Sequence, residues 1–147
     1  MSADSAAVFG DPTLPEPAEV RDLEHGARHE LAGLTVRVAH TPGHTPGSVA
    51  LAATTEDGTE VVFAGDTLFQ GSVGRTPHRA GGAGVDTVRP DGSHEQLLHS
   101  IATELLTRDD ATIVLPGHGP ATTIGAERAH NPFLQDLTTV STRGRAL

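Results

Sequence analysis

The apolar residues of this chain are concentrated in short segments separated by glycine and proline, and this pattern restricts the chain to folds built around a sheet. In LTVRVAHT at 34–41, Leu34, Val36 and Val38 share one face with a period of two, which is typical of a half-buried strand. Three further strand segments follow: SVALAATT at 48–55, EVVFAGD at 60–66 and ATIVLPGH at 111–118. The EDG turn predicts a hairpin between the second and third strands, and the third is so apolar that we expect burial on both its faces.

Two helices are predicted in the second half of the chain. The segment HEQLLHSIATELLT at 94–107 repeats leucine and isoleucine at helical spacing, and Ser93 stands where it can cap the first turn. A last helix is expected from Thr122 through Phe133, with Pro132 near its end. An amphipathic helix beside apolar strands predicts an α/β protein in which the helix packs on the sheet.

The chain has room for one domain. Its 147 residues and 36% apolar content fit a single domain with a modest core. Residues 1–33, which contain three prolines and a charged stretch, are expected to form an irregular lead-in. The domain itself is expected at 34–137 and includes a long loop at 71–92 rich in glycine, proline and arginine. Residues 138–147 are expected to be an unstructured tail.

Composition excludes several kinds of chemistry and partner. The chain has no Cys and no Lys, so it contains no thiolate zinc site, disulfide, cysteine nucleophile or Schiff-base lysine. Its net charge is −9 and no basic run could follow a phosphate backbone, so we expect no nucleic-acid partner. No apolar run approaches the ~20 residues that span a bilayer, and the first residues carry no basic leader, which predicts a cytoplasmic protein with no membrane partner.

Two of the nine histidines and one aspartate stand at equivalent places after predicted strands. His44 lies in the loop after the first strand, Asp66 at the end of the third and His118 at the end of the fourth. If these strands run in one direction, their carboxyl ends meet at one edge of the sheet. Two neutral imidazoles and one carboxylate suit Zn²⁺ or Fe²⁺. The spacing alone also allows a chance grouping, because it contains no local motif.

Three blocks of sequence carry a family resemblance. They are HTPGHTPGS at 40–48, FAGDTLFQGSVGRT at 63–76 and VLPGHGPATTIGAERAHNPFL at 114–134. In this order they resemble the metallo-β-lactamase superfamily, in its single-domain glyoxalase II-like (hydroxyacylglutathione hydrolase-like) branch, from about Leu34 to Leu134. The resemblance implies the C-terminal half of an αββα sandwich, with a mixed sheet and helices on one face.

The resemblance also implies a site and a reaction. His44 would bind a first metal ion, Asp66 would bridge two, and His118 would bind the second, with two Zn²⁺ in the complete site and Fe²⁺ as the alternative. Metal-bound hydroxide would then hydrolyse a small-molecule thioester, or a related ester or lactone. Arg75 resembles the place where glyoxalase II offers a basic side chain to an anionic substrate, although an ordinary surface arginine fits this position equally well.

One departure from the family limits these expectations. The His-x-His-x-Asp-His signature, which supplies four further ligands, has no match here, so we expect the chain alone to form at most one weak site with little activity. An uncovered sheet face then predicts a homo-oligomer or a complementing N-terminal half. Two other interpretations remain: a mononuclear iron protein resembling persulfide dioxygenases, and a non-catalytic remnant that acts as a binding module.

Overall fold

The computed structural model describes residues 22–76, 92–135 and 137. Six strands form one sheet in the order β1-β2-β3-β4-β7-β8, and a separate hairpin pairs β5 with β6. The β4–β7 pair is parallel and every other pair is antiparallel, so the sheet is mixed. The strands are β1 (Arg28–Leu31), β2 (Leu34–His40), β3 (Val49–Thr54), β4 (Glu60–Gly65), β5 (Leu68–Phe69), β6 (Ser72–Val73), β7 (Ile113–Pro116) and β8 (Thr122–Thr123).

Both predicted helices form, with different bounds from those expected. Helix α1 (His94–Ser100) begins after Ser93, whose hydroxyl accepts a hydrogen bond from the Gln96 amide at 3.3 Å, as the sequence predicted. The chain then continues as a π-helical turn over Ile101–Leu105 rather than as an α-helix. Helix α2 (Ile124–His130) is capped by Thr123. Thr122 was expected to begin this helix, but it pairs with Val114 in β8 instead.

The core lies between the helices and one face of the sheet, as the predicted architecture requires. Small alanines on the central strands allow the helices to approach closely, because they present only a methyl group. The buried cluster joins sheet residues Ala39, Ala50, Ala52, Val62, Ala64 and Val114 to Leu68, Val73, Leu97, Ile101, Leu105, Ile124 and Leu134. The α/β class with helices on one face is therefore confirmed.

The expected irregular lead-in contains a strand. Residues Arg28–Leu31 form β1, an edge strand that pairs with β2 through the register Leu31↔Leu34. The two-residue turn between them, Ala32 and Gly33, has φ values of 52° and 80°, as in the tight hairpins that match the twist of a sheet. Because β1 is mostly exposed and carries charged residues, it shows no apolar alternation that could have predicted it.

The opposite face of the sheet contradicts the expectation that the third strand is buried on both sides. In β4, Val62 and Ala64 are buried beneath the helices, but the Phe63 side chain is 50% exposed on the other face. Phe63 pairs with Leu51 and Leu115 in neighbouring strands. The apolar character of β4 was interpreted as burial on two faces, whereas the described helices cover only one.

The described residues contain no helix that is long and apolar enough to cross a membrane.

The predicted loop at 71–92 lies only partly within the described residues. Its first residues belong to the β5–β6 hairpin, because Ser72 and Val73 form β6. Residues 77–91 and the expected tail at 138–147 lie outside the described residues.

Candidate metal centre

Strand directions bring the three predicted ligands to one edge of the sheet. Strand β3 runs antiparallel to both β2 and β4, and β7 runs parallel to β4, so β2, β4 and β7 all point the same way. His44 follows the end of β2, Asp66 directly follows β4, and His118 follows β7. The sequence predicted this juxtaposition from strand ends alone, and the structure brings the three side chains together. Their role as ligands remains a prediction.

Asp66 lies between the two imidazoles. Its Oδ2 is 3.6 Å from His44 Nε2, and its Oδ1 is 3.6 Å from His118 Nε2. Both distances are too long for hydrogen bonds. They are close to the separation of about 3.4 Å that two ligands of one tetrahedral zinc ion keep when each bond is 2.0–2.2 Å long. Each histidine therefore faces its own carboxylate oxygen at a distance suited to a shared ion.

A hydrogen bond from His44 fixes which ring nitrogen is available. His44 Nδ1 lies 2.9 Å from the backbone carbonyl oxygen of Arg75. A carbonyl can only accept, so Nδ1–H donates and Nε2 of the neutral ring carries a lone pair. That lone pair faces a carboxylate oxygen, an arrangement that is unfavourable unless a cation or proton lies between them. A backbone carbonyl behind the ring is also the usual support of a histidine that binds a metal ion.

The three side chains do not surround a single point. Within 22–76, 92–135 and 137, no group of three or more His, Cys, Asp or Glu side chains is placed to hold one ion. The single weak site expected from the sequence stays a prediction, and the two histidines face different oxygens of Asp66. The arrangement instead offers two pairs of ligands that share one carboxylate. A catalytic zinc normally has three protein ligands, so each pair is one ligand short.

Glycines make room for the Asp66 carboxylate. A side chain at Gly117 would overlap Asp66 Oδ1, and one at Gly74 would overlap the Asp66 backbone oxygen and crowd His44 Cβ at 3.0 Å. Asp66 also follows an irregularity in the β4–β7 pairing, where Gly65 adopts a φ of 52°. Both glycines belong to the sequence blocks that carry the family resemblance, Gly74 to FAGDTLFQGSVGRT and Gly117 to the block at 114–134.

We expect Gly117→Ala to weaken metal binding while leaving the fold intact. The added methyl group meets the end of a side chain that can rotate away, so the free energy of unfolding should fall by less than about 1 kcal/mol. The rotated carboxylate would no longer face His118, and zinc affinity should fall about tenfold or more. Competition titration with a chromophoric chelator measures this affinity. Gly58→Asn, at an open position with φ 86° in the turn between β3 and β4, is the control, and equal affinities of the two variants would contradict the prediction.

A cleft of about 600 Å³ lies in front of these residues. The β5–β6 hairpin forms one wall with Phe69, Gln70, Ser72 and Val73. The Phe69 ring stacks on the His118 imidazole with 6.4 Å between centroids, and the His118 side chain is 80% exposed at the opening. Sequence analysis missed this hairpin, although Leu68 and Val73 flank a tight Gln-Gly turn that could have indicated it.

Arg75 and His40 have different relations to the cleft. Arg75 lines the cleft, and its backbone carbonyl holds His44. Its predicted contact with substrate is not tested by this geometry. His40 contacts the neighbouring backbone instead. Its Nε2 lies 2.7 Å from the Pro46 carbonyl oxygen, which supports the loop that carries His44, and its backbone amide donates to His25 Nδ1 in the segment before β1.

Comparison with known proteins decides the family. A family model described as the metallo-β-lactamase superfamily matches residues 2–118. The chain belongs to the metallo-β-lactamase superfamily. The match confirms the family that three blocks of sequence had indicated, and members of this superfamily bind divalent metal ions.

Characterised and uncharacterised relatives support the same assignment. An uncharacterised protein of Mycobacterium tuberculosis is 50% identical over 127 residues, which are 84% of this chain and 51% of that protein. Hydroxyacylglutathione hydrolase GloC of Haemophilus influenzae is 40% identical over 111 residues, which are 76% of this chain and 46% of that enzyme. The chain thus spans about half the length of the curated relatives it matches.

Solved structures show the same partial coverage. The B3 metallo-β-lactamase BLEG-1 is 40% identical with a TM-score of 0.66, over 89% of this chain and 56% of that one. A protein solved in a di-iron-bound form is 40% identical with a TM-score of 0.61, over 88% of this chain and 56% of that one. The metallo-β-lactamase fold of the described residues is therefore shown.

Proposed function

We propose that this chain contributes half of the active site of a metal-dependent hydrolase that cleaves a thioester, or a related ester or lactone. The observation that carries the proposal is the position of Asp66, whose two oxygens each face the Nε2 of a different histidine at 3.6 Å. Two ions of Zn²⁺, with Fe²⁺ as the alternative, fit this donor set of imidazole and carboxylate. The likeness to hydroxyacylglutathione hydrolase GloC supports a thioester as the first substrate to test.

The residues of this chain have distinct tasks in such a reaction. Metal ions held there would lower the pKa of water and polarise the substrate carbonyl. Asp66 faces both histidines and would be the shared ligand, and the Arg75 carbonyl keeps the His44 lone pair directed at Asp66. Phe69 offers an apolar wall for an acyl group, and Arg75, which also lines the cleft, would bind an anionic end of the substrate.

The proposal includes a second source of ligands. Each histidine and the Asp66 oxygen that it faces supply only two ligands to an ion. This chain also spans about half the length of its relatives. The remaining ligands would come from polypeptide that packs on the exposed sheet face around Phe63. We therefore expect this chain alone to bind metal weakly and to hydrolyse substrate slowly.

Thiol release from a hydroxyacylglutathione thioester tests the reaction. The chain contains no Cys, so a thiol-detecting reagent reports only the product. The purified chain is assayed with Zn²⁺ or Fe²⁺, beside the same metal in buffer and the Asp66→Asn variant. Release above buffer that Asp66→Asn abolishes supports the hydrolase. Metal binding without release in either metal would overturn the reaction proposed and favour a binding module.

A mononuclear iron protein of the persulfide dioxygenase type is less well supported. A single ion requires its ligands around one point, whereas the two histidines of this chain face different oxygens of Asp66. Binding of one iron per chain, together with oxygen consumption on a persulfide, would favour that function over hydrolysis.

We expect the isolated chain to self-associate through its exposed sheet face. The face presents Phe63, Leu51 and Leu115 in one cross-strand row, and apolar patches of this kind drive association. Phe63→Ser should weaken association at least about tenfold, because burying a Phe side chain contributes roughly 1.5–3 kcal/mol. Sedimentation velocity over a concentration series measures this. Leu23→Ser, at another exposed apolar residue, is the control, and a wild-type chain that stays monomeric would contradict the prediction.

A further inference from the structure

We propose that Glu127 and Asn131 are positioning residues that fix the β5–β6 hairpin and, through it, the three candidate metal ligands. Neither residue lines the cleft. Glu127 lies in α2 and Asn131 directly follows the helix. Their side chains form hydrogen bonds with the backbone of the hairpin. The inference rests on the proposed function, because the hairpin matters only if His44, Asp66 and His118 form a working site.

Glu127 is a buried carboxylate that gathers donors from three parts of the chain. It is only 3% exposed. Its Oε2 accepts hydrogen bonds from the Gly71 amide at 2.9 Å and from Asn131 Nδ2 at 2.8 Å. Its Oε1 accepts from the Thr122 hydroxyl at 2.6 Å. A buried charge is costly unless it is hydrogen bonded, so these three contacts hold the carboxylate and its donors in one arrangement.

Asn131 completes the attachment of the hairpin turn. Its Nδ2 donates to the Ser72 carbonyl at 3.0 Å as well as to Glu127, and its Oδ1 accepts from the Phe133 amide at 3.0 Å. Asn131 is itself 1% exposed. Together the two side chains bind the Gly71 amide and the Ser72 carbonyl, which belong to successive residues of the hairpin.

The hairpin then contacts every candidate ligand. Phe69 in β5 stacks on His118. Gly74, directly after β6, packs against the Asp66 backbone. Its amide donates a hydrogen bond to the Thr67 carbonyl oxygen at 3.2 Å. Arg75, the next residue, accepts the hydrogen bond from His44. A hairpin with two residues in each strand is not stable alone, so its attachment to α2 decides how firmly these contacts are held.

The chemistry of the network suggests a graded series of variants. Both the Gly71 amide and Asn131 Nδ2 donate to the same oxygen, so residue 127 must offer an acceptor there. Glu127→Gln can keep its oxygen at that place and direct its amide toward Thr122, whose hydroxyl can accept. Glu127→Ala removes all three contacts. The glutamine variant should therefore rescue much of what the alanine variant loses.

The full chain is tested as wild type, Glu127→Gln, Glu127→Ala and the exposed-helix control Glu95→Ala. Hydrogen exchange of the 68–76 segment and zinc affinity by chelator competition are measured on each. We expect exchange to rise in the order control, glutamine, alanine, and zinc affinity to fall about tenfold in the alanine variant and by less in the glutamine variant. Unfolding in urea, followed by far-UV circular dichroism, identifies any variant that loses the whole fold.

Two results are decisive against the inference. Unchanged exchange at 68–76 in Glu127→Gln and Glu127→Ala would show that the network does not hold the hairpin. Increased exchange with unchanged zinc affinity would show that the hairpin does not position the ligands. If the wild-type chain binds no metal, the proposed function fails, while the exchange measurement still decides whether Glu127 fixes the hairpin.

Discussion

Asp66→Asn is expected to lower the affinity of this chain for zinc or iron by more than about 100-fold. Asp66 is the only described side chain that faces both His44 and His118, so its loss affects both pairs of ligands. Changes to residues that merely support a ligand cost about 10–100-fold in affinity, and removing the shared carboxylate should cost more. His44→Ala and His118→Ala should each have smaller effects, because one pair survives in each variant.

Elemental analysis of chain purified without added metal, followed by chelator competition, measures this affinity. Asp109→Asn removes the same charge from an exposed residue outside the cleft and should bind metal as the wild type does. Equal loss in the two aspartate variants would mean that net charge, rather than the site, attracts the ion. Undiminished binding in Asp66→Asn would refute the assignment of this carboxylate.

Gly43→Ala is expected to lower the free energy of unfolding by at least about 3 kcal/mol. A Cβ at this position would overlap the backbone nitrogen and Cα of Leu97, which cannot rotate away. The residue also adopts a φ of 139°, which side chains rarely tolerate. Its carbonyl accepts a hydrogen bond from the Ser93 amide at 2.8 Å, so the strain would reach the start of α1.

Urea unfolding followed by far-UV circular dichroism is the suitable measurement, because the chain has no Trp or Tyr. Gly47→Ala lies four residues away in the same loop, has open space around it and has no unusual φ. Its stability should differ from the wild type by less than about 1 kcal/mol. A Gly43→Ala variant as stable as Gly47→Ala would contradict the close approach between this loop and the helix.

The sequence predicted the parts of the fold whose local pattern and tertiary environment agree. Strand β2 begins at Leu34 as expected, and Ser93 caps α1, because alternation and capping are both local signals. The convergence of His44, Asp66 and His118 could be predicted because strand ends in a mixed sheet lie at defined edges. These features required no knowledge of distant contacts.

The features that sequence missed depend on partners that are far along the chain. Strand β1 is stabilised by pairing with β2 rather than by buried side chains, so its charged sequence concealed it. Thr122 belongs to β8 because it pairs with Val114 and because its hydroxyl donates a hydrogen bond to Glu127. Burial of Phe63 was predicted from the apolar sequence of β4, which does not reveal which face of the sheet is covered. Gly74 became recognisable only when the Asp66 backbone was found beside it.

The separation of the candidate ligands along the chain would link metal supply to the stability of the folded protein. His44, Asp66 and His118 belong to three different strand connections, so an unfolded chain has no preformed site and a metal ion would bind the folded chain in preference. Free metal at about 100 times its dissociation constant would then add about 2.7 kcal/mol to the free energy of unfolding. Cells short of zinc or iron would hold more of the chain unfolded and exposed to proteases, so its abundance would report metal supply before any turnover of substrate did.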